Sequence, residues 1–382
     1  MKFMILKNGI VLTDNFKFNK TDIEIKGLQI TGIGDMNADT DFLDLTNMYV
    51  LPGFIDTHMH GAYGVRFSDP VPDINKITRF EATRGVTTIA ATTSSSEFSD
   101  LLRQFDCIVA AMEKGTDGAK IAGIHAEGPF LNCKFKGAMT EKNIITPTAE
   151  KIEQLYSHGK GNLKIISIAP EIENADEAIK YFVTRGIVVS MGHTNATFDE
   201  AKNGVCCGAT QSTHTFNAMR PYNHRELGVL GCVLTNPKVK CEMICDFVHL
   251  HPTTIKLIYN IKGVDQINMI SDSGHSAGIE LTKFMVDGIM RYVKDGVVRL
   301  ADGTIAGSTK TLLEGVQNLA SIGIPLEDIS KMISLNPAKS IGIDNQTGTI
   351  TKGKQADLVV LNKELEVVYT FVDGMIAYKK KK

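Results

Sequence analysis

The residues able to do chemistry are unevenly placed along the chain. The stretch LPGFIDTHMHG, Leu51 to Gly61, sets His58 and His60 one residue apart at the end of an apolar run. Residues i and i+2 of an extended strand share a face, so both imidazoles can point to one site. Further on, HAEGPF carries His125 and Glu127, GHTNAT carries His193, and THTFNAM carries His214. CDFVHLH follows with Asp246, His249 and His251, then SDSGHS with Asp272 and His275. Imidazole and carboxylate are the ligands of first-row divalent metals, and catalytic metal sites keep one position open for water. A lone histidine at a strand end is more often a hydrogen-bonded loop residue, and His158, His224 and His275 are read that way. Four histidines with Glu127 and Asp272 at six positions of one predicted rim read as a metal centre.

Those strand ends need a scaffold that gathers them. Short apolar runs at about 49–57, 86–91, 120–125, 164–169, 187–191, 209–213, 240–245 and 267–271 alternate with helical patterns. In FSDLLRQFDCIVAAMEK, for example, Leu101, Leu102, Phe105, Ile108, Val109 and Met112 form the stripe of an amphipathic helix. Eight strands alternating with helices predict an α/β fold, a (β/α)8 TIM-type barrel whose active site lies at the C-terminal ends of the strands. ATQST, in the sixth run, is the least apolar. Both chain ends instead read as short strands and turns, with Asn8-Gly9 and Asp373-Gly374 as hairpin signals. The expected division is a small β-sandwich domain built from residues 1–52 and 346–382 around a barrel of residues 53–345. Three Asp-Gly pairs between about 277 and 305 predict hairpins or loops inserted after the eighth strand.

Composition excludes several other classes. With 41 basic and 43 acidic side chains the net charge is −2, so no global field favours nucleic acid or an anionic membrane. Any anionic substrate must be held by a few local groups. Seven cysteines, an odd number without a CxxC pair, predict a reduced, cytoplasmic setting. No window reaches the ~20 apolar residues of a membrane span, and the N-terminal apolar run is too short for a signal peptide.

PGFIDTHMHG, HAEGPF, GHTNAT, THTFNAM, SDSGHSAG and DGTIAGS, taken together and in this order, resemble the N-acetylglucosamine-6-phosphate deacetylases of the amidohydrolase superfamily. The resemblance extends to the C-terminal GTITKGKQADLVVL. HxH alone is generic to the superfamily, whereas HxEGPF with GHTNA and FNAM is far more specific. The resemblance implies that Glu127, His193 and His214 are the central metal ligands, and that Asp272 is the catalytic acid and base beside the metal. His58 and His60 match the HxH that completes a second site, so one or two divalent metals are implied, with Zn, Fe, Mn and Co all compatible. Implied substrate contacts are Ala138, Asn217, Ala218, Arg225, Asp246, His249, Ile305, Ala306 and Gly307. The family motif DGxH here reads Asp246-Phe247-Val248-His249, which predicts extra bulk beside the sugar. From the residues alone, Asn217 could equally cap a helix and Arg225 could be a surface ion pair. The resemblance favours Arg225 as a phosphate ligand reaching a neighbouring subunit, and hence a homodimer. The implied activity releases acetate from N-acetylglucosamine 6-phosphate. The galactosamine epimer, another amidohydrolase substrate and an inactive scaffold are the alternatives.

Overall fold

The computed structural model describes residues 3–36, 42–69 and 72–381. Residues 1–2, 37–41 and 382 of the expected β domain, and 70–71 of the expected barrel, lie outside them. Eight parallel strands form the barrel: β1 (Phe54–Met59), β2 (Val86–Ser94), β3 (Lys120–Glu127), β4 (Leu163–Ile168), β5 (Val188–Met191), β6 (Gln211–Ser212), β7 (Lys240–Ile244) and β8 (Ile267–Ile270). They neighbour one another in chain order. The ring closes where the Asp272 amide donates to the His58 carbonyl at 2.9 Å. The weakly apolar sixth run contributes only two residues, both buried and polar.

Helices return the chain between strands, and their apolar stripes face the barrel. Phe98–Lys114 buries Leu101, Phe105, Ile108 and Val109, then stops at Gly115, whose φ of 80° ends the helix. Phe198–Cys207 begins at a capping box made by Thr197 and Glu200, which fixes the chain shortly after His193.

The two chain ends build one eight-stranded sheet. Phe3–Leu12, Phe18–Lys26, Gln29–Gly34, Phe42–Asp44 and Tyr49–Pro52 come from the first, and Leu358–Leu361, Val367–Val372 and Met375–Lys379 from the second. The sheet curls over its own core. Ile30 from one end and Phe371 from the other share a buried cluster with Leu6, Ile23 and Val360. The two ends thus form one small β domain around a shared core, as a single sheet.

Two local expectations are corrected. The run 49–57 is two strands, because Gly53 leaves the small sheet for the barrel at a point where a Cβ would collide with the Thr87 side chain. Asn8-Gly9 is not a hairpin turn but a bulge inside Phe3–Leu12. Asn8 adopts φ 61°, its amide is taken by Asp22 at 2.9 Å and its side chain by Asp44 at 3.0 Å. The left-handed tolerance that suits a turn serves the bulge equally well. The true reversal follows at Thr13 to Lys17. Asp373-Gly374 does turn a hairpin, with φ of 48° and 70°.

After β8 the chain makes a four-stranded antiparallel sheet: Lys283–Val286, Ile289–Lys294, Val297–Arg299 and Ile305–Ser308. Asp287-Gly288 and Asp295-Gly296 supply paired left-handed residues at its first two turns. Ser308 donates its amide to the Asp272 carbonyl at 2.9 Å, so the last inserted strand ends against the barrel rim. Among the described residues no helix is long and apolar enough to cross a membrane, and all seven cysteines are free.

Candidate active site

The C-terminal strand ends bring the expected ligands into one cluster. Glu127, the last residue of β3, places Oε1 at 3.1 Å from His193 Nε2 and 3.0 Å from His214 Nε2. The two Nε2 atoms are themselves 3.1 Å apart. His193 Nδ1 donates to the Phe135 carbonyl at 2.7 Å, which leaves Nε2 as the lone-pair atom facing Glu127. His193, His214 and Asp272 have φ of 46°, 28° and 48°. Such non-glycine left-handed residues cost about 1–3 kcal/mol each and concentrate at functional sites.

His58 and His60 stand on the other side of Glu127. His58 Nε2 lies 3.4 Å from Glu127 Oε1 and His60 Nε2 lies 3.3 Å from Glu127 Oε2. Asp272 Oδ1 reaches His60 Nε2 at 3.3 Å and His58 Nε2 at 3.8 Å. His58 Nδ1 sits 2.9 Å from the buried Glu242 carboxylate, and its Nε2 is buried without a hydrogen-bond partner. A carboxylate fixing one ring nitrogen while the other is left bare is the arrangement of a metal-ligating histidine. Two groups of ligand atoms therefore fit a divalent cation: Glu127 with His193 and His214, and His58 with His60 and Asp272. A third close group, His58 with His125 and Glu242, is spoken for by hydrogen bonds. His125 gives one ring nitrogen to the Thr57 carbonyl and the other to Ser167, both at 2.9 Å.

The electrostatics fit a cation as well. Burial works against a charge on His58, yet Glu242 and Glu127 outweigh it and lift its pKa well above the ordinary value. The same contest, with Asp272 and Glu127 as partners, lifts His60 to about 9. Burial would raise Asp272, but the His60 hydrogen bond and the two imidazole charges hold it at about 2. Burial would likewise raise Glu127, and four surrounding imidazoles hold it well below its usual range. Three carboxylates crowded here call for positive charge.

A cavity of about 540 Å³ opens above the cluster, within the size range of small-molecule sites. Ala138, Asn217, Ala218, His249, Ile305, Ala306 and Gly307 all line it, as do His60, Glu127, His193, His214 and Asp272. Asp246 and Arg225 do not. The Asp246 carboxylate is taken up by the Val248 and His249 amides at 2.9 Å, by His249 Nδ1 at 2.7 Å and by Ser308 at 3.2 Å. It orients His249 and, by hydrogen bond and charge, overcomes the burial that would lower the imidazole pKa, raising it above the ordinary value. Arg225 is exposed, and its amide bonds the Asn223 side chain. The bulk expected from Phe247 is not beside the cavity: its ring packs against the barrel core, and φ of 62° keeps the left-handed backbone a glycine would favour. His275 stacks on Phe284 at 5.0 Å and joins the cavity wall, His158 pairs with Asp106 at 3.1 Å, and His224 is exposed.

Several contributors escaped the motif reading. Glu242 is one, and a glutamate inside the apolar run VKCEMI was the available signal. Ser94, the last residue of β2 and 3.1 Å from His60 Nδ1, and the Phe135 carbonyl, in the short helical turn Cys133–Phe135, orient rings from positions that carry no recognisable pattern. Arg66 and Arg291 are both in the cavity wall; Arg66 stands in a segment without a motif and Arg291 in the stretch that reads only as hairpins or loops.

Residues 49–377 match the model of the amidohydrolase family. The chain is 32% identical over 346 residues to the N-acetylglucosamine-6-phosphate deacetylase of Vibrio furnissii, covering 90% of this chain and 86% of that one. It is 30% identical over 328 residues to the N-acetylgalactosamine-6-phosphate deacetylase of Escherichia coli O157:H7, covering 85% and 87%. A mutant N-acetyl-D-glucosamine-6-phosphate deacetylase of Mycobacterium smegmatis, solved in complex with N-acetyl-D-glucosamine-6-phosphate, superposes with a TM-score of 0.93 at 31% identity, covering 99% of this chain and 100% of that one.

Proposed function

The chain belongs to the amidohydrolase family, and from that premise we propose that it hydrolyses the acetamide of N-acetyl-D-glucosamine 6-phosphate to glucosamine 6-phosphate and acetate. The observation that carries this reading is the convergence of Glu127, His193 and His214 within 3.0–3.1 Å of one another, with Asp272 beside them at the cavity floor. Glu127, His193 and His214 would hold one divalent cation, and His58, His60 and Asp272 would hold a second. Bound there, such a cation would polarise a carbonyl and lower the pKa of a water toward ~7.

The chain's own residues do the rest. Asp272, ionised at neutral pH, accepts the proton of the attacking water and then returns it to the sugar nitrogen as the amide bond breaks. One carboxylate serves both steps because they are sequential. His249, held by Asp246, donates to a polar group of the substrate. Asn217 and the backbone at Ala218 and at Ile305 to Gly307 border the sugar, while Ala138 and Gly137 cover His193. Arg225 reaches the phosphate bound by a neighbouring copy, which makes the working unit a homodimer.

The E. coli relative favours the galactosamine epimer as a second substrate. Acetate release from both 6-phosphates and from unphosphorylated N-acetylglucosamine, with and without chelator, tests the reading. N-acetylglucosamine 6-phosphate should be turned over fastest and chelator should abolish that turnover. Preference for the epimer would exchange the substrate, and chelator-resistant turnover would remove the metal role.

A further inference from the structure

The cavity wall holds a guanidinium that forms no ion pair with any carboxylate of the described residues, with only the more distant Asp287 and Asp272 charges in its favour. Arg291 belongs to the inserted strand Ile289–Lys294 and lines the cavity above the metal-ligand cluster. One of its terminal nitrogens donates to the Ala306 carbonyl at 3.2 Å, which ties the fork to the segment expected to border the sugar. Its Nε is buried without a hydrogen-bond partner. Among the described residues no carboxylate lies within ion-pair distance of it.

The neighbouring charges explain why. Arg66 already binds Asp69 at 3.0 Å and Asp287 at 3.2 Å, so the nearest rim carboxylate is committed elsewhere. Asp302, also in the cavity wall, accepts the Thr304 amide at 2.9 Å. Burial, and then the adjacent Arg66 charge, both oppose the Arg291 charge and push its pKa below the ordinary value. A half-buried cation beside a second cation is costly unless an anion arrives. With Nε enclosed, the donors left for a ligand are those of the terminal nitrogens, and a guanidinium suits a phosphate oxygen.

We propose that Arg291 is a specificity-determining residue that binds the phosphate of the substrate from within the same chain. The assignment rests on the phosphosugar reading above. It makes each subunit's cavity selective for an anionic sugar even without Arg225 of a neighbour, and it places the selecting charge on the insertion rather than on the barrel.

The test compares Arg291→Met, Arg291→Lys and Arg225→Met in full-length, metal-loaded enzyme. The readouts are KM and kcat for N-acetylglucosamine 6-phosphate, kcat/KM for the unphosphorylated sugar, and competitive inhibition by inorganic phosphate. Loss of a charge-assisted contact predicts a KM for the phosphosugar raised about 10–100-fold in Arg291→Met. Phosphate inhibition should weaken by a similar factor, while kcat/KM for the unphosphorylated sugar should fall far less. Arg291→Lys should recover part of the loss, and it carries the comparison if the methionine variant does not fold. Equal losses on both sugars, or unchanged phosphate inhibition, would overturn the role of Arg291. A wild-type enzyme that does not prefer the phosphosugar fails the substrate reading instead, a result visible before any variant is made.

Discussion

At the scale of single residues, the site is a set of imidazoles held by groups outside the proposed ligand set. Glu242 shows this most clearly. One oxygen accepts from His58 Nδ1 at 2.9 Å and from the His214 amide at 3.1 Å, and the other accepts from Gln211 at 2.7 Å. It thus braces a ligand from each proposed metal position, but only His58 through its ring. Glu242→Gln keeps the shape and removes the charge that makes His58 a strong ligand. Loss of such a partner typically costs 10–100-fold in metal affinity. Metal content measured after dialysis against graded chelator should therefore fall first by the one equivalent held with His58 and His60, while the Glu127, His193 and His214 position stays loaded. Equal loss of both metals, or wild-type retention, would count against that role. The proposed ligands were legible in the sequence because each follows an apolar run by one to three residues. Their supports were not, since a carbonyl at Phe135 or a hydroxyl at Ser94 becomes a ring-orienting group only once the chain is folded.

At the scale of elements, the barrel emerged from the alternation of apolar runs with helical stripes, and Phe98–Lys114 shows why this worked: burial follows the 3.6-residue period of its side chains. Local turn chemistry was less informative. Asn8-Gly9 tolerates left-handed backbone whether the chain reverses or merely bulges, so cross-strand partners at Asp22 and Asp44 decided the outcome. The continuous apolar run from Tyr49 to Thr57 likewise hid a change of sheet. Its hinge is Gly53, whose amide donates to Asp357 in the small sheet at 2.9 Å while the Ser334 hydroxyl donates to its carbonyl at 2.9 Å. A methyl group there meets Thr87 on β2. Gly53→Ala should destabilise the protein by about 1–3 kcal/mol through overpacking, read as a lowered midpoint in urea. Adding Thr87→Gly should cost less than the sum of the two single changes, because it vacates the contested space. Strict additivity would show that the conformation of Gly53, and not the close approach, is what the junction requires.

For the molecule as a whole, stability and chemistry are assigned to opposite ends of the barrel, as expected where active sites occupy the C-terminal strand ends. The ligands crown one end. At the other, Lys120 at the start of β3 reaches Asp357 at 2.8 Å and Asp373 at 2.7 Å, fastening the barrel to the small sheet. Lys240, at the start of β7, donates to Ser340 at 3.0 Å and to the Asn336 carbonyl at 3.3 Å in the C-terminal helical segment. No carboxylate pairs with Lys240 among the described residues, so burial, with some help from the Lys339 charge, lowers its pKa from 10.5 to about 8. The unfolded chain then binds more protons than the folded one between pH 8 and about 10.5, which makes folding stability rise with pH across that window. Below pH 8 the full penalty of the buried charge is present. Lys240→Met removes this linkage, so the stability of wild type minus that of the variant should climb by about 1–3 kcal/mol from pH 8 to pH 10 in urea titrations. A flat or falling difference would mean that Lys240 gives up its charge no earlier than an exposed lysine. Because Lys240 sits at the far end from the ligands, metal content at pH 7.5 should be the same in both proteins, which separates an effect on the scaffold from one on the site.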